Sequence, residues 1–473
     1  MPSAPNRPAP HPDLPLPGSG DGSPLAPGTL HAGAPRLSVT AEKEASAPED
    51  APLTVLLVHN FYQHPGGEDR VFEVEGEMLE QRGHRVLRYT LRNEEVDEMN
   101  RVALAARTVW SRDAYREVLE IVEREGVDVV HVHNTLPLAS PSVYHAAQDG
   151  GAAVVQTLHN FRFICPGALL LRDGELCHDC VGKSVATPAI QHKCYRGSTA
   201  ATAAVVATTA IHKAAGTYAS KVDRYIALSD FARGLFIEGG LPADQIAVKP
   251  NALQDDPVQG PGGEYALFAG RLGKGKGIQV LLDAWSMDPD LPHLKIAGDG
   301  ELSHLVTEAA SGDPRIEWLG WCNGDEMAQL MREAAVLVTP SMWYEGWPLV
   351  AIEAMGLGTP VVATNHGVFP EMIIDGVTGS LVPRGDAGAL GQAVRRLLSD
   401  PEMLKEIRHA TWELYRERFT REINYLQLRR IYADAIARRN GEPTPLPSPE
   451  AARPLFVPAA GHARSSPPVP VDW

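Results

Sequence analysis

The chain predicts an α/β fold made of two successive doubly wound units. Three observations lead there. Short apolar runs recur along the sequence, most of them followed by a loop bearing Gly or Pro and then a segment with helical periodicity. The alternation breaks once, over the polar, Gly/Pro-bearing residues 254–263, and then restarts. Both ends lack sustained apolar periodicity and are rich in proline, with 20 of the 39 prolines in residues 1–50 and 441–473.

Thr54–Val58 is a short apolar strand. A loop carrying Gly66 and Gly67 follows, then a helix to Arg82 and a second strand at Arg85–Tyr89. This order opens a parallel sheet. Helical periodicity spans Arg101–Arg124. Val127–Val132, Ala153–Thr157, Tyr225–Leu228 and Ile246–Lys249 read as the remaining strands of a first domain over 51–253. Ala200–Ile211 is apolar but only 12 residues long, too short to span a bilayer, and reads as a buried helix. Residues 254–263 form the linker. The second domain, 264–400, has strands at Tyr265–Phe268, His293–Ile296, Ile316–Leu319, Val336–Val338, Pro360–Ala363 and Gly379–Val382. Residues 401–440 read as C-terminal helices, with Tyr415, Phe419, Ile423, Leu426 and Ile431 as apolar positions.

Composition narrows the function classes. Removing both tails leaves 390 of 473 residues, enough for two hydrophobic cores. A formal charge of -16 argues against a general nucleic-acid binder, so no nucleic-acid partner is expected. The first 30 residues lack an apolar run beside a basic start, so no signal peptide is expected. Five cysteines do not make a disulfide scaffold, and a cytoplasmic location fits.

Chemistry concentrates in four places. Glu345-Gly-Trp-Pro-Leu-Val-Ala-Ile-Glu353 puts one carboxylate in a turn and another eight residues on, in a helix. An apolar strand ending at Thr339-Pro340-Ser341 precedes this cassette. Gly270-Arg-Leu-Gly-Lys-Gly-Lys-Gly277 is a glycine-rich segment with three cations, suited to a phosphate group. His159 ends the strand at Ala153–Thr157, at the sheet edge where such folds bind ligands. Gly66 and Gly67 follow the first strand and would let backbone approach a ligand.

Over about residues 54–430 these motifs resemble family 4 of the retaining glycosyltransferases, in the two-domain GT-B arrangement. The chain is most similar to members that build capsular or exported polysaccharide. The resemblance implies a nucleotide-diphospho-sugar donor on the C-terminal domain, an acceptor on the N-terminal domain and final helices that cross back. It casts Arg271 and Lys276 as the diphosphate pair, with Lys274 as an alternative cation. Glu353 would take the donor ribose, and Glu345 would lie by the sugar ring. Gly346, Trp347, Pro348 and Leu349 form the loop whose amides face the sugar or phosphates. His159 would contact the donor sugar, so His159 and Glu345 are the catalytic candidates. Gly66 and Gly67 would face the donor phosphate or the acceptor. Gly298–Glu301 would lie below the nucleotide and Gly320–Asn323 near the base. Trp343 and Tyr344 would shape the pocket or simply pack, and Asn251 and Ser229 are cleft positions with a structural alternative. Of His131 and His133, the second is the better cleft residue. No catalytic cofactor is implied. The acceptor would be a glycan or lipid-linked glycan, and the pathway surface polysaccharide synthesis. The rival classes are an inactive glycan- or nucleotide-sugar-binding GT-B protein and a nucleotide-sugar epimerase of the same fold.

Two features lie outside that scheme. Cys165, Cys177, Cys180 and Cys194 fall within 30 residues. Their spacing fits a structural zinc site, reduced thiols packing a loop, or a disulfide or redox pair. Cys322 stands apart. Residues 82–124 carry nine arginines, with Trp110 and Tyr115 among them. They could give weak contact with an anionic membrane surface, or form a solvated amphipathic helix.

Overall fold

The computed structural model describes residues 51–63 and 66–442. The expected disordered tails lie outside these residues, apart from 441 and 442. Eight strands belong to the first domain: β1 (Thr54–Phe61), β2 (Arg85–Arg92), β3 (Val129–Val132), β4 (Ala153–Leu158), β5 (Leu171–Arg172), β6 (Glu175–Leu176), β7 (Arg224–Ala227) and β8 (Ile246–Val248). Six of them form a parallel sheet in the order β2-β1-β3-β4-β7-β8, while β5 and β6 pair alone as a small antiparallel hairpin. The second domain holds β9 (Tyr265–Ala269), β10 (Leu294–Ala297), β11 (Ile316–Gly320), β12 (Ala334–Thr339), β13 (Val361–Thr364) and β14 (Gly379–Val382). They make a second parallel sheet in the order β11-β10-β9-β12-β13-β14.

Each sheet is covered on both faces, which is why its central strands are apolar without alternation. β3, β4, β7 and β12 are buried at every position. Leu56, Val58 and Val130 face one core of the first domain, while Val55, Leu57 and Val129 face the other. In the second domain Leu267 and Ala269 face one core, and Ala266 and Phe268 the opposite one.

The C-terminal helical segment is two helices, Pro401–Arg418 and Arg421–Arg439. Thr420 starts the second by accepting from the Ile423 amide. The first helix packs on the second domain through Leu414 and Tyr415. The second crosses to the first domain, where Tyr425, Leu428, Ile431 and Tyr432 join the core beneath Val55 and Leu57. Two Rossmann-like domains with a helix crossing back constitute the GT-B architecture. The helical periodicity over Arg101–Arg124 belongs to two helices, Arg101–Val109 and Arg112–Glu125. Ser111 caps the second piece through the Ala114 amide. The Ala200–Ile211 run lies in the helix Thr199–Ala214, which buries one face only and leaves Ile211 exposed.

Candidate active site

In open α/β sheets ligands bind beyond the carboxyl ends of the strands, where the strand order reverses. In the second domain that point lies between β9 and β12. β9 delivers the glycine-rich phosphate segment and β12 delivers the Glu345 cassette, so the two motifs meet. Close approach explains the glycines between the cations. A Cβ on Gly275 would lie 2.2 Å from the Trp343 ring, and one on Gly277, where φ is +73°, would lie 1.9 Å from the Pro340 carbonyl oxygen. Gly298 and Gly300 form a turn that clamps the segment from below, their Cβ positions blocked by the Gly270 and Leu272 carbonyls.

The Lys276 ammonium lies 2.8 Å from Glu345 Oε1. The same oxygen accepts from Ser341 Oγ at 2.6 Å and Trp343 Nε1 at 2.8 Å. Burial by itself would raise the Glu345 carboxyl; the lysine charge and the three hydrogen bonds overcome it and hold the group below the usual carboxylate range. Arg271 is exposed, and its guanidinium has no partner among the described residues. Lys274 is also exposed. One cation is therefore held against the carboxylate while two stay open to an anion.

Glu353 sits in the helix Leu349–Gly356. No side chain caps that helix, so its first amides remain available to an anion. The Trp347 indole belongs to the core, against Phe419, and Pro348 is buried beside it. Across the cleft, Arg70 Nη1 reaches Glu353 Oε1 at 2.7 Å. Burial raises the Glu353 carboxyl, and Arg70 opposes that rise. Gly67 begins the helix Gly67–Gln81, and a Cβ there would sit 3.7 Å from Leu349. A Cβ on Gly66 would meet open space, so the fold itself does not demand glycine there. Gly346 does need its glycine, since a Cβ would lie 2.7 Å from the His159 carbonyl oxygen. Tyr344 packs on Phe231 at 4.7 Å between ring centres, and Glu371 accepts from the Asp230 and Phe231 amides. The structure thus gathers His159, Gly66, Gly67, Gly346, Leu349 and Glu353 along one cleft between the domains.

On the first domain, His159 Nε2 lies 2.9 Å from His133 Nδ1. Burial keeps both imidazoles neutral by lowering their pKa well below the ordinary histidine value. His133 Nε2 and Glu75 Oε2 make no hydrogen bond and lie 3.6 Å apart, and the same Glu75 oxygen lies 3.7 Å from His131 Nδ1. A proton on that nitrogen suits the carboxylate best. His133 Nδ1 then accepts from His159 Nε2–H, which leaves His159 Nδ1 as an acceptor. His131 is fully buried between Tyr432 and Thr157, bonded at 2.9 and 2.8 Å. Ser229 caps the helix Asp230–Glu238 through the Ala232 amide, and Asn251 is buried with its Oδ1 unpartnered among the described residues.

Two groups escaped the sequence reading. Glu68, next to the glycine pair, lines a cavity of about 40 Å³ together with His133, His159 and Asn160. Tyr62 and Asn160 both donate to Glu68 Oε2 at 3.1 Å, and burial pushes its carboxyl up to about 7. Lys249 is wholly buried and holds Glu75 at 2.7 Å, with Asn424 of the returning helix at 3.0 Å. The Gly-Gly-Glu order was the available signal for Glu68; nothing local marks Lys249.

Among the described residues, Glu75, His131 and His133 bring one ligand atom each within 4.8 Å of one another and could hold a structural metal ion. The Lys249 ammonium already occupies the other Glu75 oxygen. The four clustered cysteines converge separately, on one small cavity in the insert.

Two family models match end to end. Residues 66–252 match the glycosyl transferase 4-like domain and residues 253–413 match glycosyl transferases group 1. The phosphatidyl-myo-inositol mannosyltransferase of Mycobacterium leprae is 33% identical over 224 residues, covering 45% of this chain and 59% of its own length. A D-inositol 3-phosphate glycosyltransferase from an Arthrobacter species is 38% identical over 153 residues, covering 30% of this chain and 36% of its own. The chain spans about half the length of the curated relatives it matches. Among solved structures, Anabaena Alr3699/HepE in complex with UDP-glucose superposes over 80% of this chain and 100% of its own with a TM-score of 0.56 at 18% identity. Sucrose-phosphate synthase from Thermosynechococcus elongatus covers 82% and 100% with a TM-score of 0.58 at 21% identity. These likenesses show the fold. With the two matched models they place the chain, over residues 66–413, in the GT-B glycosyltransferases of the family-4-like group.

Proposed function

We propose that the protein is a retaining glycosyltransferase that moves a sugar from a nucleotide-diphospho-sugar, with UDP as the first nucleotide to test, to a carbohydrate or lipid-linked glycan. The observation that carries this reading is the meeting of the phosphate segment with the Glu345 cassette at the switch point. There Lys276 is bonded to Glu345, and Arg271 and Lys274 stay open to a diphosphate. Charge on the leaving diphosphate grows as its bond to the anomeric carbon breaks. Fixed cations stabilise that charge without reorganisation. An acceptor hydroxyl attacks the same face, and its proton passes to the departing phosphate oxygen. Glu345 lies where positive charge develops on the sugar, and His159 Nδ1 can accept from a sugar hydroxyl. Glu68 and the cavity beside His159 suit the acceptor. The UDP and UDP-glucose complexes of Anabaena Alr3699/HepE, which shares this fold, support UDP as the nucleotide.

Surface polysaccharide synthesis, a cytoplasmic location and weak anionic membrane contact belong to the same proposal. No described helix is long and apolar enough to cross a membrane. Isothermal titration with UDP, GDP and ADP tests the donor site: UDP should bind most tightly, and no binding of any of the three at millimolar concentration overturns it. Turnover should need no added magnesium or manganese. Release of free nucleotide and sugar without an acceptor would favour the epimerase reading instead.

A further inference from the structure

Cys165, Cys177, Cys180 and Cys194 enter from four points of one segment and line one cavity of about 20 Å³, room for a water-sized occupant. None of the four is disulfide-bonded, and all are partly buried. The backbone around them is strained. Six non-glycine residues with positive φ occur among those described, and five of them lie here: Ala168, Leu170, Asp173, Lys193 and Arg196. Such conformations persist only where the surroundings hold them. The segment's own packing supplies little. It has a hairpin of two-residue strands and one six-residue helix, and it leaves Leu169 and Val185 exposed.

We propose that the four cysteines bind one zinc ion as a closed tetrahedral thiolate set, and that the metal turns this insert into a strut bracing the donor loop. Zinc suits four soft thiolates and leaves no open position for catalysis. Binding releases the four thiol protons and adds metal affinity to the folding of the segment. No three of the sulfurs lie within 4.8 Å of one another, so binding requires them to close inward on the metal. Arg172 and Asp179 also line the cavity, paired with each other at 2.5 Å. The rival trio of Glu75, His131 and His133 faces the Lys249 ammonium, which repels a divalent ion.

The strut follows from two contacts. Arg384 bonds Glu175 at 3.0 Å and the Gly174 carbonyl at 2.6 Å, both in the insert's hairpin, and reaches Met342 O at 2.9 Å. His178, between Cys177 and Cys180, lies 5.7 Å ring to ring from Tyr344, the neighbour of Glu345. Ordering the cysteine loop therefore orders the residues leading into Glu345. The metal site stands independently; its effect on the donor rests on the proposed function.

The test uses the full chain, expressed in zinc-replete medium and purified without chelator. Elemental analysis should find about one zinc per chain. Cys177→Ser with Cys180→Ser should abolish it, and Glu75→Gln should not. If the cysteine variant fails to fold, cobalt loading of the unaltered chain decides: intense thiolate-to-cobalt charge-transfer bands are expected. Folded protein without zinc, cobalt without those bands, or cysteines recovered as disulfides overturns the site. UDP-glucose affinity should fall about tenfold on zinc loss, the scale of a small misplacement of binding groups. Unchanged affinity removes the strut and keeps the metal; zinc without any nucleotide binding keeps the metal and sinks the donor reading.

Discussion

Lys276 and Glu345 hold each other in place, so neither can be altered alone without effect on the donor. Lys276→Ala should lower turnover by on the order of 10²–10³, the cost of losing one fixed charge at a leaving group. Folding should weaken as well, because Glu345, only 9% exposed, keeps just Ser341 and Trp343 as partners once the lysine is gone. Turnover and a urea midpoint on the same preparation check both halves. Glu68 gives a pH signature of opposite sign to a salt-bridged carboxylate. Its folded pKa is raised to about 7, so the folded chain binds the extra proton. Ionisation costs stability fully above pH 7, and that cost disappears as pH falls toward the unfolded carboxyl value. Glu68→Gln should therefore be more stable than the unaltered chain at pH 8, with the gap closing near pH 5. A gap independent of pH would show that Glu68 titrates normally. The close contacts at Gly277 and Gly346 were not legible from sequence, because a glycine in a loop does not announce which backbone approaches it.

At the scale of elements, the returning helix Arg421–Arg439 is tied to the first domain by more than its apolar face. Lys249 joins β8 to Glu75 of the first helix and to Asn424 of the last. Removing one partner of a buried pair strands the other charge. Lys249→Met should cost about 3–5 kcal/mol in urea unfolding, and Glu75→Gln in the same chain should recover part of it. If the single and double variants unfold alike, the pair carries no such weight. The helix itself was legible as an apolar pattern. Its destination came from the family resemblance alone, since periodicity reports that a face is buried and not against what. The cap at Ser111 was visible in sequence but outweighed by the continuous periodicity around it.

For the whole molecule, a chain cut to residues 51–442 should fold and bind UDP as the full chain does, because the cores lie within it. Loss of binding on truncation would give the tails a role in the site. The basic surface should bind anionic vesicles weakly, in a salt-sensitive way. Arg82, Arg85, Arg88, Arg116 and Arg124 already hold acidic partners, while Arg101 and Arg112 are exposed near Val102 and Trp110. Co-sedimentation at low and high salt measures this; equal binding to neutral vesicles would remove the electrostatic part.

Sequence by itself determined the two alternating α/β units, their parallel sheets and the motifs at the second domain's switch point. Buried parallel strands leave continuous apolar runs, and phosphate chemistry demands glycine and cations close together in the chain. Only the tertiary structure decided which groups meet across the cleft. Arg70 on Glu353, Gly346 under His159, Glu68 beside the His159 cavity and Arg384 on the cysteine insert are pairs far apart in sequence. Contacts of that kind depend on how two separately folded sheets pack, and no local pattern encodes them.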